Sequence, residues 1–362
     1  MKRILCLIDI LGFGGGAERQ MIGLVQLLKQ HGYPTDIICY HDNPALPLIK
    51  ERYGIEPVLL KVKDSQWSKL LSVHHYIRKN GPFDCMITYK GGPNAIGCLL
   101  KAFGMRFKLI VSERIVDSIV GGKGKLFKLY RFADYVVPNA FSQGEFLSGE
   151  FPWMKNKIVP ISNFTDTEHF IPVKREEVQP LHILTVGRMT EQKNIPRYLE
   201  AIALLKKRGV MNVQFDWVGK PQNIHDEKYA NDVLKKVDAL DVADMITFHP
   251  QTPDIVKHYQ ACDIFCLPSN YEGYPNVVCE AMSCGKPIAC SRVCDNPRIV
   301  SEGVNGLLFD QTNPEDMADK LQEMLLMPIE QRIEWGKQSR NIALEKFSRD
   351  TFVDKYIALI ER

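Results

Sequence analysis

The chain has 362 residues, 45% of them apolar and 25% charged, and a net charge of +3. A chain of this length accommodates two α/β domains with substantial cores. No apolar run approaches the ~18 residues needed to cross a bilayer. Met1-Lys2-Arg3 leads into a brief apolar run ending at Asp9, which reads as a first strand and not a secretory leader. The ten cysteines are scattered without a C-x-x-C pair. That favours buried reduced thiols over a disulfide framework or a thiolate metal site and predicts a cytoplasmic protein. Charge is uneven: residues 1–160 hold 22 Lys and Arg against 13 Asp and Glu, a net +9, and the rest hold 24 against 30, a net −6. The first half is therefore expected to face something anionic.

In chain order, Lys2–Leu11 reads as a strand, Gly12–Ala17 as a glycine-rich turn, Ala17–Gln30 as a helix and Tyr33–Tyr40 as a second strand. Gly12, Gly14 and Ala17 match the dinucleotide fingerprint, with Asp42 at the end of the second strand, so a dinucleotide-dependent oxidoreductase is one reading. Further strands are expected at Glu56–Val62, Asp84–Tyr89, Lys108–Ser112, Ala133–Asn139 and Lys157–Ile161. Helices are expected at Lys69–Lys79, Asn94–Ala102 after a Gly91-Gly92-Pro93 turn, and Ser142–Gly149. In 121–131 four basic residues, Lys123, Lys125, Lys128 and Arg131, alternate with Leu126, Phe127, Leu129 and Tyr130. That pattern fits a basic amphipathic helix on an anionic membrane, or a core helix with a solvated rim. The basic residues follow no nucleic-acid-binding motif, so no nucleic-acid partner is expected.

Residues 163–180 read as an interdomain linker. In the second half, the strand His182–Gly187 delivers Arg188 and Lys193 to its carboxyl end, where open α/β sheets bind ligands. Arg188 can grip a phosphate with parallel hydrogen bonds, and Lys193 adds a compact charge. Strands are expected at Val213–Gly219, Met245–His249, Asp263–Pro268 and Pro287–Ser291, and helices at Ile195–Arg208, Asp226–Leu240, Pro253–Ala261, Pro314–Leu326, Ile329–Lys346 and Arg349–Glu361. The stretch Ser269–Cys284 (SNYEGYPNVVCEAMSC) carries the densest signal. Pro275 suits a helix start, and the N–H groups of Asn276 and Val277 make a site for phosphate. Glu272 and Glu280 flank it with seven residues between them. Carboxylates beside a phosphate site suit ribose or sugar hydroxyls.

Glu272 and Glu280 with this spacing resemble the E-x7-E motif of the retaining, family 4 glycosyltransferases (glycosyl transferases group 1), which have the GT-B fold. Gly187-Arg188 with Lys193-Asn194 is similar to a second signature of that family, Gly15-Gly16-Ala17-Glu18 to its N-terminal loop, and Asn163…Asp166…Phe170 to its hinge. Pro250-Gln251 resembles its base-contacting loop, and 303–310 its late glycine turn. Where many members carry a histidine near a strand end, this chain has Ser112-Glu113-Arg114.

The resemblance implies an α/β protein of two Rossmann-like domains facing across a cleft. Residues 1–162 form the acceptor-side domain, 181–348 the nucleotide-sugar domain, and the helix 349–362 crosses back to the first. It implies sugar transfer from a nucleotide diphosphate, UDP by the family's habit, to a hydroxyl of a lipid-linked or polysaccharide precursor, with retention. The candidate catalytic residues are Arg188, Lys193 and Glu272. Donor binding is expected from Gly15, Gly16, Gly187, Arg188, Lys193, Gln251, Glu272, Gly273, Asn276, Val277 and Glu280. No Asp-x-Asp lies in the donor half, so no metal or cofactor is expected. The expected partners are the donor, the acceptor and, through 121–131, the inner face of the membrane. A non-hydrolysing sugar-nucleotide epimerase is an alternative on the same fold.

Overall fold

The computed structural model describes residues 1–12, 15–63, 65–114, 124–174, 179–221 and 223–362, with Lys125 as backbone only. The chain divides into two compact units, Met1–Phe164 with Arg349–Arg362, and Thr165–Ser348.

The first unit runs β1 (Ile4–Leu7), α1 (Gly16–Gln30), β2 (Thr35–Cys39), α2 (Leu46–Tyr53), β3 (Pro57–Leu59), α3 (Gln66–Asn80), β4 (Cys85–Tyr89), α4 (Gly91–Ala102), β5 (Lys108–Glu113), α5 (Gly124–Phe127), β6 (Tyr135–Pro138) and α6 (Phe141–Glu150). All strand pairs are parallel, in the order β3-β2-β1-β4-β5-β6. Helices cover both faces, which is why the central strands are continuously apolar and why Ile4, Leu5, Cys6 and Leu7 are fully buried.

The second unit runs β7 (Leu181–Val186), α7 (Ile195–Lys207), β8 (Val213–Val218), α8 (Ile224–Ala239), β9 (Ile246–His249), α9 (Ile255–Ala261), β10 (Ile264–Leu267), α10 (Asn276–Ser283), β11 (Ile288–Ser291), α11 (Asn296–Ile299), β12 (Gly306–Phe309), α12 (Pro314–Leu326) and α13 (Ile329–Phe347). Its order is β12-β11-β10-β7-β8-β9, again all parallel. Counted from its first strand, each sheet has the doubly wound order 3-2-1-4-5-6. Consecutive connections then leave β1 and β4, and likewise β7 and β10, in opposite directions, and a crevice opens at their carboxyl ends. The final helix, α14 (Arg349–Glu361), packs into the first unit's core through Phe352, Val353, Tyr356, Leu359 and Ile360.

Three sequence expectations are corrected and one helix is added. Residues 157–161 form no strand: Ile158 makes an isolated bridge to Val136, and Pro160 has no N–H for a ladder. Helix α4 begins at Gly91, so the Gly-Gly-Pro taken for a turn is its first turn. Helix α2 was unexpected, because Pro44 and Pro47 mask it; Pro47 sits in its first turn, where a missing N–H costs nothing. The stretch 121–131 is not one amphipathic helix over its described length. Gly121, Gly122 and Lys123 lie outside the described residues, α5 has four residues, and a tighter helix, Lys128–Phe132, follows. Phe127 and Tyr130 there are fully buried inside the unit.

Nine of the ten cysteines are buried, Cys294 is half-buried, and all are free thiols. Burial pushes Cys39 up to about 11 and Cys98 up to about 12. Among the described residues no helix is long and apolar enough to cross a membrane.

Candidate functional site

In the second unit the crevice lies between the loops after β7 and β10. Strand β7 ends at Val186, and the Gly187 N–H donates to Val218 O at 3.0 Å. A side chain at 187 would meet the Lys193 stem, its Cβ 2.9 Å from Lys193 Cε. Gly219 (φ +154°) lies against this turn, and a Cβ there would sit 1.9 Å from Gly187 O. Two glycines thus let the loop close tightly enough to return Lys193 to the sheet edge.

Arg188 is exposed on this loop. Lys193 Nζ forms an ion pair with Glu272 Oε1 at 2.7 Å, with side chains 12% and 7% exposed. The same Glu272 oxygen accepts from Ser269 Oγ at 2.6 Å, and Oε2 accepts from Gln192 Nε2 at 3.3 Å. The Glu272 N–H faces Cys294 Sγ at 3.4 Å. Further hydrogen bonds bolt the two loops together: Asn270 N donates to Gln192 O at 2.8 Å and Asn194 Nδ2 to Pro268 O at 3.1 Å, and Asn194 Nδ2 also reaches Gln311 O, beyond β12, at 2.9 Å. Asn194 turns the chain into α7 in the left-handed region (φ 56°), a conformation asparagine tolerates.

Pro275 is the N-cap of α10, one position ahead of its expected place. The Asn276 N–H donates to Tyr274 O at 2.9 Å. The Val277 N–H has no partner among the described residues, and no acidic side chain occupies the helix's first turn. One turn on, Glu280 Oε2 accepts from Tyr259 Oη at 2.8 Å. Burial, reinforced by Glu280, pushes the Tyr259 phenol well above its ordinary value and keeps it a donor.

Of the expected site residues, Gly187, Lys193, Glu272, Gly273, Asn276 and Val277 line this one switch point, with Arg188 beside it. Glu280 is a turn along the helix. Gln251 follows β9, two strands away from β7, and is exposed. Gly15 and Gly16 belong to the first unit, where the Glu18 carboxylate folds back over Gly15: a Cβ on Gly15 would meet Glu18 Oε2 at 1.6 Å. Gly14 of the dinucleotide fingerprint lies outside the described residues, and Asp42 is exposed and caps its own loop through the Asn43 N–H at 2.8 Å. The roles of Ser269, Gln192 and Tyr259 escaped the sequence reading. Gln192 and Tyr259 find their partners, Glu272 and Glu280, far along the chain, and Ser269 is an ordinary polar residue that reaches Glu272 three positions on. Among the described residues no three His, Cys, Asp or Glu side chains gather as a metal site.

Residues 166–342 match the model of the family "Glycosyl transferases group 1". A Haemophilus influenzae protein described as an uncharacterized glycosyltransferase is 25% identical over 370 residues, spanning 99% of this chain and all of its own. The Campylobacter jejuni N-acetylgalactosamine-N,N'-diacetylbacillosaminyl-diphospho-undecaprenol 4-alpha-N-acetylgalactosaminyltransferase is 23% identical over 90% of each chain. Among solved structures, Anabaena HepE in complex with UDP-glucose superposes with a TM-score of 0.82 at 17% identity, covering all of both chains. The two parallel six-stranded Rossmann-like sheets and this superposition give the chain the GT-B fold, and its residues 166–342 belong with the glycosyl transferases group 1.

Proposed function

We propose that the protein transfers a sugar from a UDP-sugar to an acceptor hydroxyl of a lipid-linked or polysaccharide precursor, with retention and without a metal, at the inner face of the membrane. The observation that carries this reading is the switch-point cluster: Lys193 pinned 2.7 Å from Glu272, with Arg188 and the open end of α10 beside it. Such a crevice suits a diphosphate that gains negative charge as it leaves. Two cations and a helix N-terminus oppose that charge without reorganising. The UDP-glucose held by HepE and the diphospho-undecaprenol substrate of the Campylobacter enzyme support the donor and acceptor classes.

In this mechanism Arg188 and Lys193 stabilise the departing UDP. Glu272 fixes Lys193 and offers its less engaged Oε2 to a donor-sugar hydroxyl. Glu280, held by Tyr259, accepts from the ribose, and Gln251 meets the base. The bond from the sugar's anomeric carbon to phosphate oxygen breaks while the acceptor oxygen bonds to that carbon on the same face. The acceptor's proton passes to the leaving phosphate oxygen.

The test is a thermal-shift panel of UDP, GDP, ADP and NAD on the wild type and Arg188→Ala, without added metal. A ligand that binds only the native state raises the melting temperature. A shift with UDP that disappears in Arg188→Ala is expected. A shift with NAD alone overturns the reading.

A further inference from the structure

The second unit carries a cavity of about 330 Å³ on the opposite edge of its sheet from the crevice. Asp263 and Pro287 line it, and they stand immediately before β10 and β11. The crevice lies beyond the other end of β10. Helix α13 forms a second wall, through Ile329, Arg332, Ile333 and Arg340.

Three helices end at this cavity, and a cation meets each end. Lys286 Nζ donates to Gln260 O at 3.0 Å and to Cys262 O at 2.7 Å, at the close of α9. Arg340 Nη1 donates to Ser283 O at 2.9 Å, the last carbonyl of α10, and at the same distance to Thr167 O and Phe170 O. Arg332 Nη1 donates to Leu325 O at 3.3 Å and to Met327 O, at the close of α12. Cations suit the carbonyl ends of helices, which explains how Lys286 and Arg332 come to be only 8% and 6% exposed.

Helix capping leaves charge over. Neither Lys286 nor Arg340 has a carboxylate partner among the described residues, and the Arg340 Nε and Nη2 donors have no partner among them at all. Burial lowers the Arg340 pKa from its ordinary value, against an opposing pull from Cys284, as befits a charge short of a counter-ion. Lys174 and Lys337 also line the cavity; Lys337 is exposed and stands 3.8 Å from Glu334. Asp263 is the one carboxylate in the lining, with its Oδ2 accepting from the His182 N–H at 2.8 Å. Five cations thus meet one carboxylate and three helix ends worth roughly half a negative charge each, an excess of about two positive charges.

The remaining wall is largely apolar. Ile329 and Ile333 lie one turn apart on α13, and Ile333 and Val173 are 49% and 46% exposed at the mouth. Nearly buried cations beneath an aliphatic rim match a ligand with a compact anionic head and an apolar body. The volume falls in the range of small-molecule sites, about 300–1,000 Å³. We infer that this cavity is a second ligand site, for a small organic phosphate, a doubly charged monoester on an apolar body. The phosphate takes parallel hydrogen bonds from Arg340 Nε and Nη2 and faces Lys286; the body lies against Ile329 and Ile333. The sheet separates this site from the crevice, so the inference does not rest on the transferase reading.

The probes are naphthyl phosphate, naphthoate, naphthol and inorganic phosphate, titrated against the full chain by calorimetry with and without saturating UDP. Naphthyl phosphate is expected to bind at least about tenfold more tightly than inorganic phosphate, because only it covers the aliphatic wall. Arg340→Gln weakens both phosphates about tenfold. Lys337→Glu weakens both several-fold, and Ile333→Ala weakens naphthyl phosphate alone. Positions 337 and 333 are exposed, so these two variants decide the matter if circular dichroism shows Arg340→Gln unfolded. Arg188→Ala and saturating UDP leave naphthyl phosphate binding unchanged. The inference falls if naphthyl phosphate does not bind, or if naphthol or naphthoate binds as tightly. It falls equally if UDP or Arg188→Ala abolishes the signal, which would put the probe in the crevice instead.

Discussion

Lys193 and Glu272 stand 79 residues apart in the chain and 2.7 Å apart in space, joined because β7 and β10 are neighbours in the sheet. The pair is almost out of solvent, so each charge depends on the other. Removing one partner strands a buried charge, at a cost of about 3–5 kcal/mol, whereas removing both does not. Lys193→Met is therefore expected to destabilise the second unit more than Lys193→Met with Glu272→Leu. Urea unfolding measures this. Turnover should fall roughly a hundredfold in Lys193→Met and stay low in the double variant, because the leaving diphosphate has lost its cation in both.

The Tyr259–Glu280 hydrogen bond separates donor binding from chemistry. Tyr259→Phe removes the donor that fixes Glu280 while keeping the ring in the core. The expected result is a donor KM raised several-fold, with kcat nearly unchanged, since the ribose is bound similarly in the ground and transition states. A fall in kcat at constant KM would place Glu280 at the reacting carbon instead.

At Gly219 there is no room for a side chain. The φ of +154° and the 1.9 Å approach to Gly187 O mean that Gly219→Ala must push the loop after β7 outward. About 2–4 kcal/mol of stability should be lost, together with UDP binding. Chemical denaturation and calorimetry read the two effects separately.

Acid should act partly through His258. Burial holds its pKa below the ordinary 6.5, and nearby His249 lowers it further, against the opposing pull of Asp216 and Asp254. A histidine depressed in the folded state binds its proton more readily when unfolded. Its contribution to stability is therefore complete above pH 6.5 and is lost as pH falls through the folded value. His258→Gln should flatten the stability profile below pH 6.5 and leave it parallel to the wild type above. Urea midpoints across pH 5–8 test the sign.

A chain stopped at Ser348 should lose the first unit. The stop removes α14, with Phe352, Val353, Tyr356, Leu359 and Ile360 all nearly or fully buried, and the hydrogen bond between the Tyr356 and Tyr89 hydroxyls at 2.9 Å. Five such side chains at about 1.5–3 kcal/mol each rival the whole stability of a typical domain. UDP binding by the second unit should survive, as calorimetry on the truncated chain would show.

The sheet strands and the long helices were legible because their periodicity is local. Apolar runs mark strands covered on both faces, and Gly187 with the charged residues at 188–193 marks the turn after β7. What stayed hidden depends on neighbours far along the chain. Lys193 and Glu272 each read as a ligand for substrate; only the sheet order reveals that they hold one another. Lys90 carries nothing in its local sequence to announce its positive φ of 74°, and its ion pairs to Asp9 and Glu18 come from other elements. Phe127 and Tyr130 look like a membrane-facing stripe until α4 and β5 are seen to receive them: Tyr130 Oη takes a hydrogen bond from Asn94 Nδ2 at 2.9 Å and gives one to Glu113.

The first unit is sewn from two stretches of chain separated by the whole of Thr165–Ser348. During synthesis at roughly 5–20 residues per second, the second unit emerges entire while the first still lacks α14. The gap in the first unit's core, where Tyr356 and Ile360 belong, stays open to solvent for that interval. The second unit is thus ready to fold first, and the first becomes complete only when α14 emerges.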